Sequence, residues 1–123
     1  MSAIFGIVNR NGEPIRAEEL GLMRDASASW GPDHQSTWVG SSAALGRCLR
    51  YDTPEDVCDG LPTLDQSRDI AFTAEGRLDN RDELFRALTV PSAAHTGIAD
   101  AELMRIAYLA WGADAPDRLL GDW

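Results

Sequence analysis

Lysine is missing from this chain: the 11 basic side chains are all arginines, scattered singly, against 20 acids and a formal charge of −9. A surface that neutralises nucleic-acid phosphates needs clustered Lys and Arg, so nucleic acid is excluded as an expected partner. Long apolar runs are missing too. Nothing approaches the roughly 20 apolar residues that span a bilayer, and the first residues have neither the basic nor the apolar region of a signal peptide. No membrane partner and a cytoplasmic location are therefore expected. Cysteine is limited to Cys48 and Cys58, with no second Cys or His cluster near them. That pair supports neither a zinc site nor a disulfide framework, so two free thiols and no metal are expected.

What is present is enough chain for one ordinary domain, 123 residues, able to bury about two thirds of its unfolded surface. Its start is chemically the most informative part. A small residue at position 2 exposes a new N-terminus when Met1 is removed, and Ser2 then carries a hydroxyl beside a free α-amine. That amine has a pKa of about 7.7 to 8 and is able to take the proton from its own side chain. Ala3-Ile4-Phe5-Gly6-Ile7-Val8 follows as a strand, closed by the turn signal Asn9-Arg10-Asn11-Gly12.

Further along, Ile15 to Ser29 has the apolar spacing of an amphipathic helix preceded by Pro14, and Trp30-Gly31-Pro32-Asp33 stops it. Strands are expected at Ser36 to Val39 and Ala43 to Leu45 around a Gly40-Ser41 turn. Arg47 to Asp69 has no periodicity and reads as a long loop. Ile70 to Ala74 reads as a strand. A helix opens at Asp79-Asn80 and runs to Leu88, with Leu84, Phe85 and Leu88 on one face. After a small-residue loop, Ser92 to Gly97, Asp100 is placed to cap a helix carrying Leu103, Ile106, Ala107, Ala110 and Trp111. A last short helix is expected from Pro116 to Leu120, stopped by Gly121. The bland reading of Arg77, Asp79, Asn80 and Arg81 is a capped helix start with surface ion pairs.

Five fragments in fixed order carry a family resemblance: Ser2-Ala3-Ile4-Phe5-Gly6-Ile7; Gly31-Pro32-Asp33; Ala44-Leu45-Gly46; Gly76-Arg77-Leu78-Asp79-Asn80-Arg81-Asp82-Glu83-Leu84; and Ala99-Asp100-Ala101-Glu102-Leu103 with Trp111-Gly112 and Leu120-Gly121-Asp122. Together they resemble the class II glutamine amidotransferase domain of the asparagine synthetase family. Thr53-Pro54-Glu55 and Leu61-Pro62 are more similar to the branch containing lasso-peptide cyclases and related macrolactam synthetases. The resemblance implies an α+β fold, the αββα N-terminal nucleophile sandwich. It also implies release of ammonia from glutamine for a separate ATP-dependent amide-forming domain.

The resemblance assigns roles residue by residue, and several positions depart from it. The family's nucleophile is cysteine; here Ser2 stands there, and a hydroxyl leans harder on its base than a thiol does. The oxyanion-hole pair Asn-Gly corresponds to Glu75 and Gly76, which puts a carboxylate where an amide donor belongs. The arginine that pairs with the glutamine carboxylate corresponds to Leu49, with Arg47 and Arg50 as flanking substitutes and Arg50 carried forward as the substrate-binding candidate. Asp100 matches the acid that holds the glutamine amine, a role compatible with capping a helix. Trp30 replaces an arginine before Gly31-Pro32-Asp33.

The resulting expectation is a degenerate, non-catalytic amidotransferase-like domain over 1–123, truncated relative to the family sandwich and without a synthetase domain. No cofactor is expected on these residues; ATP and Mg belong to the absent synthetase domain, since no Gly-rich pyrophosphate loop is present. Two alternatives stay open: an active amidohydrolase with Ser2 as nucleophile, and an interaction subunit that completes its sandwich in trans. The expected partners are glutamine if the domain is active, and otherwise the rest of the synthetase polypeptide or a trans subunit.

Overall fold

The structure is a computed structural model and describes residues 2–123. Helices and strands are mixed and the sheets are open, an α+β arrangement. The chain forms two compact units, neither contiguous in sequence: residues up to Arg50 with Leu61–Thr73, and Tyr51–Gly60 with Ala74–Trp123.

The first unit is built on a three-stranded antiparallel sheet, β1 (Ala3–Val8), β2 (His34–Val39) and β3 (Ala43–Leu49), with β3 in the centre. Alternation sorts β1 into two faces. Phe5 and Ile7 lie on the side of Ala44 and Cys48, and Leu20 and Met23 from helix α1 (Ala17–Ser27) join them, with Ile15, in one apolar cluster. The opposite sheet face carries Ile4 and Val8, which are exposed, along with Leu45 and Trp38. Gly46 sits opposite both Phe5 and Thr37. A Cβ at Gly46 would lie 2.1 Å from Phe5 Cε2, so the missing side chain is the space the ring occupies.

Several expected boundaries move. The first helix begins at Ala17, because Arg16 is extended and Ile15 donates its N–H to the Ser41 carbonyl, 3.3 Å away, outside any helical turn. The third strand continues to Leu49, and Arg47 within it is buried. Arg47 is paired with Ile4 on one side and Ser36 on the other, so the arginine broke the apolar pattern without ending the strand. The stretch expected as a long loop therefore holds the end of β3, a 3-10 turn at Pro54–Cys58 and strand β4 (Thr63–Asp65). The latter pairs with β5 (Ile70–Phe72), which is shorter than the expected run to Ala74. Asp65 ties the connecting turn by accepting from the Ser67 N–H and hydroxyl at 3.0 and 2.6 Å and from the Arg68 N–H at 3.2 Å.

In the second unit, β6 (Arg77–Leu78) pairs with β7 (Gly121–Asp122), and α2 (Arg81–Ala87) packs with α3 (Asp100–Trp111). Leu84 and Phe85 are buried as their spacing predicts, while α3 buries Ala101, Leu103, Met104 and Ala107. Ala110, expected in the core, is exposed. The small-residue stretch Ser92–Gly97 winds into a 3-10 segment. The last expected helix is only a 3-10 turn at Pro116–Arg118, and Gly121 enters a strand. A Cβ on Gly121 would lie 1.9 Å from the Arg77 carbonyl oxygen, so this pairing admits only glycine. Asn80 precedes α2 without a side-chain cap bond: Nδ2 donates to the Arg118 carbonyl at 3.0 Å and at longer range to Glu83 Oε2 at 3.4 Å, and Oδ1 accepts the Leu120 N–H at 3.1 Å. Among the described residues no helix is long and apolar enough to cross a membrane.

Candidate functional site

Antiparallel pairing of β1 with β3 sets Ala3 opposite Cys48, which brings the residue before β1 beside the residue after β3. Ser2 and Arg50 meet there. Ser2 is buried, 6% exposed, and its Oγ accepts the backbone N–H of Arg50 at 3.0 Å. The two candidates are thus joined through the Arg50 main chain, and the Arg50 residue itself is exposed. Leu49, at the position matched to the carboxylate anchor, is buried and apolar. Removal of Met1, on which a free Ser2 amine depends, lies outside the described residues.

Gly31-Pro32-Asp33 is held by packing and by backbone contacts. A Cβ on Gly31 would fall 1.9 Å from the Cys48 carbonyl oxygen, and Asp33 donates its N–H to the Leu49 carbonyl at 3.1 Å. Trp30, just before, is exposed. The retained part of this motif is therefore the part that lets the loop lie against β3.

In the second unit, Glu75 and Gly76 lead into β6. Gly76 has φ +154°, and a Cβ there would lie 2.5 Å from Trp123 Cβ and 2.6 Å from the Asp122 carbonyl oxygen. Only glycine fits, which accounts for Gly76 independently of any oxyanion. Glu75 is half-buried.

Asp100 is the most heavily engaged of the candidates. It is the first residue of α3; Ala99 holds the N-cap position, with no side-chain cap bond, so the expected capping role is replaced by another. Asp100 Oδ2 accepts the N–H of Leu78 at 2.8 Å, two residues beyond Gly76. Asp100 Oδ1 is ion-paired with Arg81 Nη1. Arg81 Nη2 donates to the Ile98 carbonyl at 2.8 Å, and the guanidinium carbon lies 5.2 Å from the centre of the Phe85 ring. Phe85 in turn stacks on His95, ring centres 3.9 Å apart and 6° from parallel. Arg81, expected in a surface ion pair, instead fastens α2 to the start of α3 beside a carboxylate whose side chain is 11% exposed. Arg77 does behave as expected, pairing with Asp79 at 3.1 Å on the surface.

Sequence reasoning missed Arg81 as a partner because Asp100 lies 19 residues away. Two signals point to it in retrospect: Phe85 at the i+4 position of the same helix offers a ring for a guanidinium, and a buried carboxylate needs a cation or several donors.

The model of the family described as glutamine amidotransferase domain matches residues 1–123, the whole chain. The chain belongs to that family. No curated protein and no solved structure matches it.

Proposed function

We infer that this is the amidotransferase-like domain of an asparagine-synthetase-type protein, on the branch of the lasso-peptide cyclases, kept as a non-catalytic part of its parent. The family match over all 123 residues supports the amidotransferase ancestry. The observation that carries the loss of chemistry is Ser2: a hydroxyl in place of the family's thiol, buried and already accepting the Arg50 N–H. Leu49 in the carboxylate-anchor position adds to this, because an apolar side chain has no donor for that anion. A carboxylate at Glu75 opposes a developing oxyanion where an amide would stabilise it.

The αββα sandwich is part of this proposal. What supports it is a helix packed on one face of an antiparallel sheet in the first unit, with Ile4 and Val8 exposed on the other face, where a second layer would pack. On this reading ATP and Mg act in the parent's synthetase domain, and glutamine is the ancestral substrate.

The test measures ammonia release from glutamine together with intact mass after exposure to a glutamine-like diazo-ketone. The expected result is no release above background and no mass increase. Labelling confined to Ser2, with ammonia release that disappears in Ser2→Ala, would establish the active serine amidohydrolase instead. Ser2→Cys is a useful companion, since restored release there would place the defect in the nucleophile alone.

A further inference from the structure

We propose that Arg81 is a built-in counter-cation that occupies Asp100 in place of a ligand ammonium, so that this domain does not recognise the α-amine of an amino-acid amide. The inference rests on reading Asp100 as the counterpart of the family's amine anchor and deepens that reading by naming what the site selects against.

The geometry carries it. One Asp100 oxygen faces Arg81 and the other receives the Leu78 N–H, so each oxygen already has a donor from the protein. A carboxylate has further lone pairs, but the Asp100 side chain is 11% exposed, which leaves little approach for a third donor. Charge closes the argument. Asp100 and Arg81 together are neutral, and an ammonium brought to a neutral, mostly buried pair loses its hydration without gaining an unpaired anion. Releasing Arg81 to make room is opposed on three sides, because the guanidinium also donates to the Ile98 carbonyl at 2.8 Å and at longer range to the His95 carbonyl at 3.4 Å, and it lies over Phe85. Arg81 therefore acts through Asp100 as a positioning residue. The ligand class it leaves open is a primary amide with no α-ammonium.

The probe pair is glutamine and glutaramate, which is glutamine without its α-amine. Affinity for both is measured by calorimetry or ligand-observed NMR on the full chain, wild type and Arg81→Met, whose unbranched side chain still covers Phe85. The ratio of the two affinities is a quantity that a purely structural role for Arg81 would leave unchanged.

In the wild type, glutamine is expected to bind no better than glutaramate. In Arg81→Met, the freed Asp100 is expected to favour glutamine at least tenfold. Where Arg81→Met does not keep the folded circular dichroism spectrum, Arg81→Gln, whose amide still has donors for the Ile98 carbonyl, replaces it. A tenfold preference for glutamine in the wild type overturns the proposal and leaves the amidotransferase reading of the site intact. Binding by the folded variant without such a preference does the same. Failure of wild type and folded variant to bind either compound overturns both the proposal and the glutamine site.

Discussion

Cys48 and Cys58 stand ten residues apart in sequence and in opposite surroundings. Cys48 is fully buried in β3 beneath α1, its Sγ 3.7 Å from the Arg24 carbonyl, and burial pushes its thiol pKa up despite the nearby Arg24 charge. The thiolate is the reactive form, so burial and a raised pKa act in the same direction. Cys58 is exposed on the 3-10 turn. Iodoacetamide at neutral pH is expected to add one carbamidomethyl group, at Cys58, and a second only after denaturant is added. Rapid native labelling of Cys48, read by peptide mass, would contradict the packing of β3 against α1. Asp65 makes a second residue-scale case. Its carboxylate accepts from the Ser67 hydroxyl and from Arg68, which lowers its pKa from 3.8 to about 2. A carboxylate with a depressed folded-state pKa stabilises the fold above its unfolded pKa, and that contribution fades as pH falls through the folded value. The melting temperatures of wild type and Asp65→Asn are thus expected to differ at pH 6, wild type higher, and to converge between about pH 4 and pH 2. A difference that does not shrink between about pH 4 and pH 2 would mean the turn does not depend on the ionised carboxylate.

Among the elements, glycine distinguishes a strand that depends on a missing side chain from a helix that gains nothing by it. Gly46 leaves room for the Phe5 ring, whose nearest atom would be 2.1 Å from an added Cβ. Gly21 lies inside α1, with nothing within 4 Å of an added Cβ. Gly46→Ala forces the ring out of a packed cluster and is expected to cost about 1 to 3 kcal/mol. Gly21→Ala removes helix-interior glycine and is expected to add about 0.5 to 1 kcal/mol. Urea titrations of the two variants check both signs in one experiment, and a neutral Gly46→Ala would show that β1 and β3 do not approach as closely as described. The elements best read from sequence were those with a long period: α3 runs from Asp100 to Trp111, and α1 needed only its ends trimmed. Those missed were short or interrupted. Strand β6 has two residues and β4 three, too few to show alternation, and Arg47 concealed the second half of β3.

At the scale of the whole molecule, the candidate site was legible only where chemistry depends on residue identity at one position. On the proposed correspondence, Ser2, Leu49 and Glu75 announce themselves as residues that depart from the family pattern. The capture of Asp100 by Arg81 depends on how α2 and α3 come together; the Arg81–Phe85 spacing marks the guanidinium but not which carboxylate it meets. Charge and exposed apolar surface, in contrast, are readable together and make a joint prediction. The net charge of −9 at pH 7 opposes self-association, and it vanishes near the sequence pI of about 4.5. One sheet face leaves Ile4 50% and Val8 69% exposed, and the outer strands β1 and β2 each have a single partner in their sheet. Unpaired strand edges beside exposed apolar side chains favour association once repulsion is gone. Light scattering is therefore expected to rise as pH falls from 7 towards 4.5. The double variant Ile4→Thr with Val8→Thr keeps the β-branched backbone preference and the charge while removing apolar surface. It is expected to shift the onset to lower pH and reduce the amplitude. Equal scattering from both proteins would place the contact elsewhere on the surface, and no rise in either would contradict self-association through this face.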